Sequence, residues 1–145
     1  MKLTIAWIGK TKGAAIQSLT ADYLKRLRRY TDAQGVALKD ESALLKLLGR
    51  GPRPSMFVLL DGRGKQLSSE ELARWLDEYQ SRSSLPLLFA VGPADGFSDE
   101  ARHAANLVLS FGKMTLAHEL ARVLLLEQLY RAFTILQRHP YHSGH

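Results

Sequence analysis

The sequence predicts an α/β domain with a mostly parallel sheet and helices on both faces. Three observations lead there. Strand-like and helix-like patterns alternate from end to end. Leu85–Val91 is apolar almost throughout between turn signals, as a central parallel strand covered on both faces must be. Three strong strand patterns, ending at Leu60, Val91 and Leu109, run into glycine-containing loops, where open α/β sheets bind their ligands. With 145 residues and no internal repeat, the chain reads as one domain, 1–145.

The elements follow in order. Leu3–Ile8, with an aromatic residue and two isoleucines, is the first strand. Ile16, Leu19, Tyr23, Leu27 and Tyr30 recur at helical spacing, with basic residues on the other face. Val36–Leu38 is a short, weak strand. Ser42–Leu48 is a short helix, stopped by Gly49 and the loop-like Gly51-Pro52-Arg53-Pro54 stretch. Met56–Leu60 is a strong strand, and Asp61-Gly62-Arg63-Gly64-Lys65 reads as a turn-rich loop after it. Ser68 and Glu71 form a capping box that opens a helix burying Leu72, Trp75, Leu76 and Tyr79. Ser98 caps a short helix whose first turn holds Asp99 and Glu100. Leu107–Leu109 is the last strand, and Leu120–Leu136 the longest helix. Val123-Leu124-Leu125-Leu126 is apolar nearly all round that helix, which calls for burial on more than one side and so for a partner subunit.

Composition narrows the function classes. Apolar residues make up 46% of the chain, too many for a disordered segment. Cysteine is absent, so disulfides and thiolate metal sites are excluded. The apolar runs are too short to span a membrane. Met1-Lys2 leads straight into a strand with no cleavage pattern, so a cytoplasmic protein is expected. The net charge is +6, with Lys25, Arg26, Arg28 and Arg29 clustered in one helix. That balance favours a polyanion such as RNA, against the plainer reading of a solvated helix end.

Several motifs fall short of the sites they resemble, and two residues admit two roles each. Ile8-Gly9-Lys10-Thr11 resembles the end of a phosphate loop but lacks the upstream glycine. His139, His142 and His145 are spaced three apart, but Pro140 breaks any helix that would align them, so no metal is expected. His118-Glu119 is not a two-histidine zinc helix, because Arg122 stands four residues after His118. His118 reads either as a structural histidine at a helix start or as a polar group facing a loop-built pocket. Arg131 reads either as the intrahelical partner of Glu127 or as a cation for phosphate or substrate.

Taken together, Leu3–Gly9, the basic helix ending Tyr23-Leu24-Lys25-Arg26-Leu27, Leu60-Asp61 with Gly64-Lys65, and Val91-Gly92 with Gly96-Phe97-Ser98 form an ordered set. To these are added Leu109-Ser110-Phe111-Gly112-Lys113-Met114-Thr115, His118, Glu127-Gln128-Leu129-Tyr130-Arg131-Ala132-Phe133 and Pro140-Tyr141-His142. Over essentially its whole length the chain resembles the large-subunit ribosomal RNA pseudouridine N3-methyltransferases, in the SPOUT class of knotted methyltransferases. The resemblance implies a carboxyl-terminal trefoil knot and a homodimer, S-adenosylmethionine as cofactor, and the ribosome's large-subunit RNA as partner. It places Leu60, Gly92, Gly112, Lys113, Met114, Thr115, Leu116 and Ala117 at the cofactor, and His118, Arg131, Tyr141 and His142 at the target base. The chain departs from the family at Pro93, where a second glycine is usual, at Ala117, where proline is frequent, and after His142, where a lysine or arginine is usual.

On this reading the enzyme's task is mostly placement, because the sulfonium methyl group is already activated. Either His118 or His142 would take the imide proton. Arg131 would stabilise charge on the base's carbonyl oxygens, and Tyr141 would stack on or hydrogen-bond the flipped base. The alternatives are a noncatalytic RNA- or ribosome-binding module of the same fold and a tRNA methyltransferase of the same class. The tail from Tyr141 onward is expected to add little to the core.

Overall fold

A computed structural model of the protein describes residues 1–49, 55–93 and 95–142, the His142 side chain excepted. The Gly51–Pro54 stretch and the third tail histidine, His145, lie outside the described residues. The elements are β1 (Lys2–Ile8), α1 (Ala14–Leu27), β2 (Asp32–Leu38), α2 (Glu41–Leu48), β3 (Met56–Gln66), α3 (Ser69–Arg82), β4 (Leu87–Val91), α4 (Asp99–Ala104), β5 (Leu107–Ser110) and α5 (His118–Leu136). A 3-10 turn, Pro140–His142, follows. The strands form one parallel five-stranded sheet in the order β2-β1-β4-β3-β5.

Alternation along each strand divides the interior in two. Leu3 and Ile5, Val58, Leu87 with Phe89 and Val91, and Leu109 face one core, covered by α1, α3 and α5. Ala6, Phe57 with Leu59, and Leu88 with Ala90 face the other, with Leu44 of α2 and Ala101 of α4. The central strand β4 is buried at every position, as its unbroken apolar run requires.

Local chemistry sets the helix ends. The Ser68 hydroxyl accepts from the Glu71 N–H while the Glu71 carboxylate accepts from the Ser68 N–H, completing the anticipated capping box. Ser98 caps α4 and also donates to Glu41 at the start of α2, which ties the two helices of that layer together. α5 begins at His118, two residues before the first helical position expected from the sequence.

Three sequence expectations change. The Asp61–Lys65 segment belongs to β3, which runs to Gln66 through an irregularity between Leu60 and Lys65 and pairs with β5 on both sides of it. Its glycine and arginine content suggested a turn, but pairing with β5 overrides local propensity. β2 is seven residues long, because backbone pairing along β1 carries it past its weak side chains. On α1 the buried side chains are Thr20, Leu24 and Leu27, while Leu19 is exposed.

α5 stops in a Schellman motif. The Arg138 N–H reaches the Ile135 carbonyl and the His139 N–H reaches the Thr134 carbonyl, with Arg138 in the left-handed region at φ 57°. A side chain there carries a steric cost that glycine lacks. Arg138→Gly should therefore raise stability by roughly 0.5–1 kcal/mol. Denaturant unfolding checks this as an upward shift in midpoint at unchanged slope.

Candidate functional site

At the carboxyl ends of β3, β4 and β5 lies a cavity of about 440 Å³. That volume suits a nucleoside-sized ligand. Its wall is built from Leu60–Arg63, from the turn after β4, and from the run Ser110–Leu116 with His118 and Ala121. Of the positions expected to hold a cofactor, Leu60, Gly92, Gly112, Lys113, Met114, Thr115 and Leu116 all line it. Ala117 does not line it and sits instead at the N-cap of α5. His118 lines the same cavity from the first position of α5.

The loops are held in specific ways. Gly92 cannot carry a side chain, because a Cβ would lie 2.5 Å from the Phe97 ring that packs beneath it. The Pro93 carbonyl accepts from the Gly96 N–H at 2.9 Å, and Gly96 takes φ 84°. Proline can serve at this position because the turn uses its carbonyl and needs no N–H there. After β5, the buried Ser110 hydroxyl accepts from the Gly112 N–H at 3.1 Å and donates to the Gly112 carbonyl at 3.0 Å. This fixes Gly112 at φ 126°. Open space surrounds the Cβ position of Gly112, so the backbone conformation alone excludes other residues there.

One charged cluster underlies the cavity. Asp61 is almost fully buried and accepts from the Arg63 side chain at 3.1 Å, from the Arg63 N–H at 2.9 Å and from the Phe97 N–H at 3.4 Å. Arg102 of α4 lies 3.8 Å from it and also donates to the Phe97 carbonyl. Burial pushes the Asp61 carboxyl up, but the Arg63 and Phe97 hydrogen bonds outweigh it and hold the group below its usual range. Asp61 thus stays ionised and pins the post-β4 turn to the end of β3. The sequence offered Arg63 only as a loop residue and Asp61 only as a loop residue and part of the resemblance, with no role for either; an acidic residue directly after a strong strand was the available signal.

Arg131 and Tyr141 lie elsewhere. Thirteen positions separate His118 from Arg131 on one helix, about 20 Å at 1.5 Å per residue. Arg131 donates to Glu127 at 2.8 and 2.6 Å, so the intrahelical pair exists. The Tyr141 ring rests edge-on against Tyr130 at 4.7 Å, its hydroxyl lies 3.2 Å from that of Tyr23, and the Arg131 guanidinium lies 5.2 Å from its centre. Burial, with the Tyr23 hydrogen bond, pushes the Tyr141 phenol well above its ordinary range and keeps it neutral. Tyr141 also packs on the main core, so the tail contributes more to folding than its length suggested. Thr134, one turn after Tyr130 on the same helix, is buried and donates to the Arg131 carbonyl. Among the described residues no three metal-ligating side chains are gathered, and no helix is long and apolar enough to cross a membrane.

Residues 1–142 match the family described as "Predicted SPOUT methyltransferase". The chain is 56% identical to "Ribosomal RNA large subunit methyltransferase H" of Koribacter versatilis, over the full length of both. It is 38% identical to the protein of the same name from Geobacter sulfurreducens, over 98% of this chain and 99% of that one. Among solved structures, the fold is similar to the SpoU methyltransferase AviRb from Streptomyces viridochromogenes in complex with AdoMet. The TM-score is 0.54 at 14% identity, covering 90% of this chain and 57% of that one.

Asp61→Asn should cost about 1–3 kcal/mol, since it leaves Arg102 and the post-β4 turn without a charged acceptor. The depressed carboxyl stabilises the fold above the unfolded value of 3.8 and loses that contribution as pH falls through the lower folded value. The variant should therefore show a shallower acid slope below about pH 4. Unfolding midpoints measured from pH 2 to 7 test both statements.

Proposed function

The chain belongs to the SPOUT methyltransferase family, and we propose that it methylates N3 of a pseudouridine in large-subunit ribosomal RNA as a homodimer with shared active sites. The relatives' names support the ribosomal substrate. The separation along α5 supports the shared site: the cavity with His118 lies at one end of the helix, while Arg131 and Tyr141 lie at the other. One chain does not bring these groups together. A second copy running the opposite way sets each tail beside its partner's cavity.

The cavity suits S-adenosylmethionine. It is large enough, its walls come from glycine-bearing segments at the ends of three strands, and the buried Asp61 cluster keeps it preformed. Leu60, Gly92 and Gly112–Leu116 would hold the cofactor, which supplies an activated methyl group. The knot implied by the family would be tied in this carboxyl-terminal region. His118 is the histidine among the lining residues and would accept the N3 proton. The partner's tail would bring Tyr141 as a neutral phenol beside the base, with Arg131 next to it to meet charge on the carbonyl oxygens.

The apolar side chains at Leu120 and Leu124 stand one turn apart on α5, 53% and 42% exposed, and Phe111 and Met114 are exposed in the loop before that helix. This face would meet the second copy. The protein should sediment as a species of twice the chain mass, and Leu124→Glu should shift it toward monomer, because the contact would bury an unpaired charge. His118→Ala should lower kcat for methyl transfer to ribosomes about 10²–10⁴-fold while changing cofactor affinity only a few-fold. Detection of 3-methylpseudouridine by mass spectrometry of the treated RNA identifies the product.

A further inference from the structure

The cationic end of α1 lies with the tail, on the far side of the molecule from the cavity. Tyr23 of α1 meets the Tyr141 hydroxyl, and Arg26 lies 5.0 Å from the Tyr23 ring centre and 5.6 Å from that of Tyr130. Tyr30 stacks on Phe133 of α5 at 5.7 Å. The Arg28 Nε donates to the Ala33 carbonyl at 2.9 Å. Two cations of this group are thus held by the fold, and Arg26 is also paired with Asp22 at 3.2 Å. Lys25 and Arg29 stand exposed beside them, and among the described residues neither is in an ion pair. The nearby acids are Asp22, already engaged by Arg26, and Asp32, which is in register with Lys2 across the β1–β2 ladder.

We propose that this ridge, led by Lys25 and Arg29, grips the substrate RNA's phosphates for the cavity of the opposite subunit. The inference rests on the shared-site reading. If the tail of one subunit serves its partner's cavity, whatever is packed against that tail travels with it. The aromatic contacts Tyr23–Tyr141, Tyr23–Tyr130 and Tyr30–Tyr130 join ridge and tail into one block. The cavity that accepts the tail therefore receives the ridge alongside it. Phosphate contacts position RNA without reading its bases, and paired positive charges on a firm support suit that task.

Mixed dimers test the assignment. Lys25→Glu/Arg29→Glu homodimers should keep their cofactor affinity, raise the KM for ribosomes about ten-fold or more, and show weaker salt dependence of ribosome binding. In a dimer purified through two different tags, one chain carries Lys25→Glu/Arg29→Glu and the other carries Gly112→Val to disable its cavity. One site then has an intact cavity and an intact ridge from the other chain, so about half the normal rate should return at low ribosome concentration. A dimer with all three changes on one chain and none on the other should be at least as impaired as the ridge homodimer, since its one working cavity meets the altered ridge. The reverse pattern places the ridge beside its own cavity and overturns the proposal. Unchanged KM and salt dependence in the ridge homodimer overturn it as well. If the unaltered protein transfers no methyl group, the proposed function fails separately. Ribosome affinity by co-sedimentation then decides the ridge, and equal binding by the altered and unaltered proteins rejects it.

Discussion

The close approach of β3 to β5 is the constraint on which the rest of the site depends. A Cβ on Gly64 would lie 2.6 Å from the Val108 backbone, so two main chains touch where side chains would normally separate them. β3 pairs with Leu109 through Leu60, departs from the ladder, and pairs with Leu109 again through Lys65. The residues displaced by that departure include Asp61, Gly62 and Arg63, which form one side of the cavity. An unbroken ladder would hold these groups within the sheet. The irregularity instead aims a carboxylate and a guanidinium at the neighbouring loop.

From there the order propagates by hydrogen bonds rather than by apolar packing. Asp61 grips the Phe97 N–H, and the Phe97 ring occupies the space that a side chain at Gly92 would need. Arg102 adds the Phe97 carbonyl to the same cluster. Ser110 holds Gly112 from both its N–H and its carbonyl. Two of the three cavity loops are thus fixed before any ligand arrives. A preformed pocket lowers the ordering cost of binding, which matters for a reaction whose main requirement is placement.

α5 carries a different burden. Arg122, nearly fully buried, lies 4.2 Å from the Trp7 ring centre and 3.4 Å from the Thr20 hydroxyl. Burial lowers its pKa, with Glu119 pulling the other way. This contact anchors the first turns of α5 to β1 and α1, while Tyr130 and Phe133 anchor its last turns to α1 and to Tyr30 just after it. A helix secured at both ends behaves as a spacer of set length. It keeps cavity and tail about 20 Å apart in one chain.

The sequence by itself determined what depends on neighbours along the chain. The short apolar runs yield β1 and β4, and Ser68 and Glu71 mark the start of α3, because such signals act over a few residues. The resemblance located Leu60, Gly92 and Gly112–Leu116, and these do line one cavity. Tertiary structure alone decided the extension of β3, the Asp61–Arg102 contact and the docking of Tyr141 on Tyr23 and Tyr130. Each joins groups far apart in sequence or overrides a local preference, and no short-range pattern records that. The same holds for the gap between His118 and Arg131. Both residues were legible as candidates, but only one continuous helix fixed in three dimensions shows that one chain keeps them apart.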